Sequence, residues 1–327
     1  MAKRICILVA LFAAVAFPAL AEEQCPPLKV LTSIDLMMPK NGMVGVPVTV
    51  AGEKTFFILD TAAPQSRISA ELAKKLNLPL EHSGRVTLVN ARGNISTTFA
   101  SVPSFDLGRL TYHSAVFWVI AEPANPAGPQ GVLGGDMLRN YDIDLDFAAQ
   151  KMNIISRDHC ADNVVYWKST MLAKVPMGVG HNNRIFFNAT LDGHDLTAVL
   201  STGLAHSAIN ISIAKSRFDV DETSPGSVAV NPNNKDTLYH HRFGTLNFQD
   251  VSVSNPDILL MPDIGDKIPG AVLRGGDRFL ARMNLDQPEL LVGMSTLRQM
   301  HVYIDYHNQT IYFTPAAPSP TAAAPSP

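Results

Sequence analysis

The sequence predicts an all-β chain of two tandem lobes with a few short helices. Three observations predict it. A run of apolar residues enters a small polar turn at Phe56-Phe57-Ile58-Leu59-Asp60-Thr61-Ala62-Ala63, and the same design returns at Leu196-Thr197-Ala198-Val199-Leu200-Ser201-Thr202-Gly203. Leu59/Leu200, Thr61/Thr202, Ser66/Ser207 and Ile68/Ile209 match at one offset of 141 residues. A period that long means a duplicated domain, since solenoid repeats run about 20 to 50 residues. A second pair of motifs follows: Val132-Leu133-Gly134-Gly135 with Leu138-Arg139, and Leu291-Val292-Gly293 with Leu297-Arg298, at an offset of 159. The second half therefore holds 18 more residues between its two motifs.

Each element has a local reason. Residues 22–40 show no period and read as an N-terminal arm. Val46, Val48 and Val50 alternate with polar or small neighbours, and Gly52 turns that strand into the one ending at Asp60. Ser69 can cap a short helix through Leu76, with Leu72, Ala73 and Leu76 on one face. Residues 85–100 read as a hairpin around Asn90-Ala91-Arg92-Gly93-Asn94. Strands near Phe105–Leu107 and Val116–Ile120 precede a Pro/Ala loop at 122–130. Gly134 and Gly135 allow backbones to approach closely beside the Asp-Thr turn. Asp136 to Asn140 makes about one helical turn. Tyr141 to Phe147 alternates acidic and apolar residues and reads as a strand with Asp142, Asp144 and Asp146 facing outward. With no Gly or Glu at EF-hand spacing, a metal reading of those three acids is set aside.

The first lobe spans 41–156, residues 157–180 form a linker, and the second lobe spans 181–314. The second lobe repeats the plan, with Gly193 as its first hairpin turn and a hairpin from Val228 to Tyr239. His240 and His241 are adjacent, so on a strand they face opposite ways. The added length falls in 262–290, rich in Gly, Pro and Asp. The Pro/Ala/Ser tail, 315–327, is expected to be disordered.

An Asp at the end of a buried strand must be held by something. Alone, Asp60 could simply cap a turn through nearby N–H groups. Hydrophobic-Asp-Thr-small-small, followed some 70 residues later by two hydrophobics and Gly, with both motifs returning in order in the second half, resembles the aspartic peptidases of the pepsin and retroviral-protease type. The resemblance covers roughly residues 40 to 315 and is nearest to exported bacterial retropepsin-like proteins. It implies a bilobal acid-protease fold of two tandem retropepsin-like β-barrel lobes. It also implies a flap at 85–100, threonines interlocked across the lobe junction, and an extended peptide or protein bound in the cleft. The catalytic set becomes Asp60, Thr61, Ser201 and Thr202. Ala62, Ala63, Gln65, Gly93, Gly203 and His206 become substrate-binding candidates.

The resemblance gives way at Ser201, where the family carries its second catalytic Asp. Two close carboxylates share one proton, one acting on water and the other on the substrate oxygen. A serine hydroxyl can orient water or bond to Asp60 but cannot hold that charge. One positioned acid–base group contributes roughly 10²- to 10⁴-fold, about 3 to 5 kcal/mol. Two readings stay open: an endopeptidase with Asp60 as its remaining carboxylate, and an inactive pseudo-peptidase that binds peptides or envelope partners. Ala62 stands where the family usually has Gly, which predicts strain in the turn. His206 as a substitute acid, or a homodimer pairing two Asp60 residues, are further options. An attached second lobe already occupies that face, so a monomer is expected.

Composition bounds the rest. The chain has 327 residues, enough for two cores, and a net charge of −3 with no basic run, which argues against nucleic acid. Residues 1–21 read as a secretory signal: Lys3 and Arg4, an apolar stretch to Phe17, then Ala19-Leu20-Ala21. The mature protein is expected in the periplasm or medium, with no membrane segment. Cys6 leaves with the signal, so Cys25 and Cys160 remain to form one disulfide or stay as two thiols. No zinc spacing and no phosphate-cradling loop is present, so no cofactor is expected.

Overall fold

The computed structural model describes residues 26–39, 42–84, 88–89, 95–120, 125, 127–161, 164–180, 182–230, 237–262 and 288–316. It is an all-β, bilobal molecule with four short helices among the described residues.

The first lobe is a seven-stranded sheet, six strands of which close into a ring. Its order is Gly45–Val50, Glu53–Leu59, Gly131–Leu133, Arg67–Ser69, Leu110–Ile120, Thr98–Leu107 and Leu80–His82. Closure comes from Thr49 pairing with Asp106 and Val50 with Phe105. Six strands thus close into a ring without open edges, and the short strand Leu80–His82 pairs outside it with Thr98–Leu107. Val46 and Val50 are fully buried, as the alternation required, against Phe57, Phe105 and Phe117. Ser69 caps the helix Ala70–Lys75 by accepting from the Leu72 N–H at 3.1 Å.

The second lobe repeats this closure 141 residues later, with Thr190 opposite Asn247. Both first hairpins turn on two left-handed residues, Ala51-Gly52 and Asp192-Gly193. That turn matches the right-handed strand twist.

A six-stranded platform joins the lobes. Its order is Val30–Asp35, Lys151–Ile155, Asp142–Asp146, Met300–Asp305, Thr310–Pro315 and Ala173–Val179. The junction is the antiparallel pair Asp142–Asp146 with Met300–Asp305, where Ile143 faces Ile304 and Leu145 faces Val302. Three strands come from each half of the chain. The stretch read as an arm thus contributes a strand, as does the end of the stretch read as a linker. The tail's first residue, Pro315, is also a strand residue. Within the stretch read as a flap, Leu88 pairs with Ser96 and Val89 with Ile95.

The acidic strand corrects the reading of its outward face. Asp142 and Asp144 are fully buried. The segment before Ala173 lies over this face and carries Val164, Tyr166 and Trp167 onto it. Val164 is buried with Ile155, Tyr303 and Tyr312 in a second small core. Local alternation reports which residues share a face, but not whether a later segment covers that face.

Cys25, the proposed partner of Cys160, lies outside the described residues, as do the signal peptide and residues 263–287 and 317–327.

Candidate active site

The site forms where the two lobes touch. Strand Glu53–Leu59 ends at Asp60, and strand His194–Leu200 ends at Ser201. Each is held by a parallel neighbour, Gly131–Leu133 in the first lobe and Leu290–Val292 in the second. Asp60 N–H donates to the Leu133 carbonyl at 3.0 Å, and Ser201 N–H donates to the Val292 carbonyl at 2.9 Å. These parallel pairs rest on two glycines. A Cβ on Gly134 would stand 2.8 Å from the Ala63 carbonyl oxygen, and one on Gly293 would stand 2.3 Å from that of His206. Both glycine N–H groups donate to matched serines, Gly134 to Ser66 Oγ at 2.9 Å and Gly293 to Ser207 Oγ at 3.0 Å.

The two threonines interlock across the junction. Thr61 Oγ1 donates to the Leu200 carbonyl at 2.7 Å and accepts from the Thr202 N–H at 3.1 Å. Thr202 Oγ1 donates to the Leu59 carbonyl at 2.8 Å and accepts from the Thr61 N–H at 3.1 Å. Both threonines are fully buried, so each of the four bonds satisfies groups that water does not reach.

This interlock brings Asp60 onto the opposite turn. A Cβ on Gly203 would lie 2.2 Å from Asp60 Cγ, so the carboxylate fills the space a side chain would occupy there. Ala62 N–H donates to Asp60 Oδ1 at 3.0 Å. Burial raises the Asp60 pKa above its ordinary 3.8, against the pull of the Ala62 N–H and of the Arg67 and Arg184 guanidiniums. The predicted strain at Ala62 is absent, because Ala62 does not adopt a left-handed φ. The glycine that matters sterically is Gly203.

Ser201 is 1% exposed at the position matching Asp60, and among the described residues no hydrogen bond joins its hydroxyl to Asp60. Ala63 is buried, Gln65 half-buried behind Gly134, and Gly203 half-buried against Asp60. His206 is exposed and meets His240 edge to face at 4.7 Å, so the structure gives it a histidine neighbour. Partial desolvation of its ring, with His240 and Arg298 nearby, lowers its pKa, which favours its neutral form. Gly93 lies outside the described residues.

Sequence reasoning missed the cross-lobe clasps. Arg139 Nη1 donates to Asn183 Oδ1, and Arg298 Nη2 donates to the Gly42 carbonyl, each at 2.8 Å. The arginines match at offset 159 and their targets at 141, so both offsets together would have pointed to these pairs. Arg184, whose Nε donates to the Ala62 carbonyl at 3.1 Å, stands where the repeat has Met43. A charge replacing an apolar residue was its signal.

The family model described as Aspartyl protease matches residues 46–137, which hold Asp60 and the Gly134 turn. That stretch of the first lobe is similar to aspartyl proteases. The fold of the chain extends the likeness over both lobes. It is similar to basic 7S globulin from soybean, at TM-score 0.54 and 10% identity over 88% of this chain and 97% of that one. It is likewise similar to an aspartic proteinase from Irpex lacteus, at TM-score 0.53 and 12% identity over 89% of this chain and 99% of that one. At such identities the aspartic-peptidase likeness is one of fold. A comparison with curated proteins finds no match.

Proposed function

We propose that this chain is an exported, aspartic-endopeptidase-like protein that binds extended peptides between its lobes, with Asp60 as its one catalytic carboxylate. The observation that carries the reading is the threonine interlock with Asp60 seated on Gly203. Four cross-lobe bonds around a single carboxylate represent a large structural investment in holding it at the cleft floor. A raised pKa suits a group that must exchange protons near working pH.

In this reading Asp60 in its ionised form takes a proton from water attacking the peptide carbonyl. The resulting acid then returns a proton to the departing amine. Ser201 takes part only as a hydroxyl that orients water or substrate. Without a second carboxylate, the tetrahedral oxygen lacks its usual proton donor, so turnover is slow. Arg67 and Arg184 are the nearby positive charges. No metal or nucleotide enters this chemistry.

Ser201 supports a second reading: the cleft holds peptide without hydrolysis. The two part in one experiment. Mature protein from Glu22 is incubated with a mixed peptide library from acidic to neutral pH, beside Asp60→Asn and Ser201→Asp variants. New termini are read by mass spectrometry. Cleavage by the wild type that disappears in Asp60→Asn supports the peptidase. Saturable binding with no new termini, and cleavage gained only in Ser201→Asp, supports the peptide holder.

A further inference from the structure

The platform face away from the main core holds an unexpected set of charges. Asp142 ends the first lobe's contribution to the junction, Asp305 ends the second lobe's, and His159 comes from the segment between the lobes. Their ligating atoms lie within 4.8 Å of one another, and all three residues are buried. We propose that Asp142, His159 and Asp305 form a structural site for one divalent transition-metal ion, zinc by preference, which staples the inter-lobe segment to both lobes.

The hydrogen bonds leave the right atoms available. His159 Nδ1 lies 3.0 Å from the Cys160 carbonyl, which can only accept, so Nδ1 carries a proton. Nε2 then faces the Asp142 carboxylate. A histidine fixed through one nitrogen by a backbone carbonyl, with the other facing carboxylates, is the usual arrangement of a metal ligand. Asp142 Oδ1 is oriented by the Tyr306 N–H at 2.9 Å and the His307 N–H at 3.3 Å. The Asp305 oxygens accept from Asn308 N–H at 2.7 Å and Asn308 Nδ2 at 2.9 Å. Each carboxylate is therefore held in place and keeps lone pairs for a cation.

Charge and unpaired hydroxyls point the same way. Two fully buried carboxylates face His159, which can supply one positive charge at most. The neighbouring Asp144 is already served by His301 and Tyr166. A dication bound by neutral His159 and two carboxylates is electrically balanced, which a buried site demands. Tyr303 sits on the same face, two residues before Asp305, fully buried and with no partner for its hydroxyl. The charges acting on that hydroxyl belong to Asp142, Asp305 and Asp144. Tyr312, cross-strand from Tyr303, is also unpartnered. A water completing a four-ligand shell would supply the missing partner. One imidazole and two carboxylates suit zinc, whose ligand bonds run roughly 2.0–2.2 Å.

The test uses the whole mature protein, stripped with a chelator and reloaded with zinc. The expected result is one zinc per chain by elemental analysis, with a rise in Tm of about 5 °C or more at zinc about 100-fold above its Kd. Asp305→Asn and His159→Gln lose the bound zinc and the zinc-dependent rise, while His240→Gln keeps both. Cobalt in the wild type gives visible d–d absorption that His159→Gln abolishes. That readout holds even if Asp305→Asn folds poorly. No stoichiometric metal in the wild type overturns the proposal, as does zinc kept by His159→Gln. Zinc lost only in His240→Gln also overturns it and moves the metal to the His206–His240 pair.

Discussion

Asp60 carries a cost that can be measured without a substrate. Its folded-state pKa is raised, chiefly by burial, above an unfolded value near 3.8. Between those two values the native state keeps a proton that the unfolded chain releases, so stability falls as pH rises through that window. Asp60→Asn removes the ionisation. The variant is expected to melt above wild type at pH 7, with the gap closing toward pH 3. A gap that widens toward acid would mean that Asp60 is a net stabilising anion. Gly203 sets the other limit at this scale. Gly203→Ala puts a methyl group 2.2 Å from Asp60 Cγ and must expel the carboxylate from its seat. Loss of any Asp60-dependent activity is expected, with far-UV circular dichroism unchanged.

At the scale of elements, the two Asp-Thr-type turns work as one unit. Thr202→Val keeps the shape but leaves the Thr61 N–H and the Leu59 carbonyl without partners in a dry junction. Two buried unsatisfied groups cost about 2–4 kcal/mol, measurable by urea unfolding. Thr61→Val strips the matching pair and should cost the same within about 1 kcal/mol. A large difference would show that the interlock is not balanced. The neighbouring glycines differ in kind. Gly293→Ala meets a backbone carbonyl at 2.3 Å and should cost about 2–3 kcal/mol. Gly52→Ala has open space around it and pays only for its left-handed φ, about 1 kcal/mol.

These elements differed in how legible they were. The turns, glycines and capped helix were readable because each depends on residues within a few positions, and duplication supplied a second copy to check against. Ser201 was readable as a departure because Thr202 and Ser207 fixed its register. The platform was less so. Val30–Asp35 has no clear period, since its pairing with Lys151–Ile155 is set more than a hundred residues away. The acids at 142 and 144 read as solvent-facing because nothing local signals that His159, Val164, Tyr166 and Trp167 will cover them. Trp167 stacks on His301 at 3.7 Å, a contact between residues 134 positions apart.

For the whole molecule, the lobes are not independent bodies. Met300–Asp305 pairs with the second lobe's Thr310–Pro315 on one side and the first lobe's Asp142–Asp146 on the other. A fragment from residue 173 onward would expose that strand edge, together with the threonine junction. Expressed alone, it is expected to give no cooperative thermal transition as a monomer. A sharp monomeric transition would show that the platform is dispensable. The arginine clasps and the platform hold the Asp60 turn against Gly203, so the site depends on the joined chain.

The central claim is that Asp60 is the one working carboxylate in a peptide-binding cleft. The most direct measurement incubates wild type and Asp60→Asn with the same peptide library and reads new termini by mass spectrometry. The account predicts slow cleavage by the wild type and none by the variant. Cleavage that survives Asp60→Asn, or a wild type that neither cuts nor saturably binds any peptide, would contradict it.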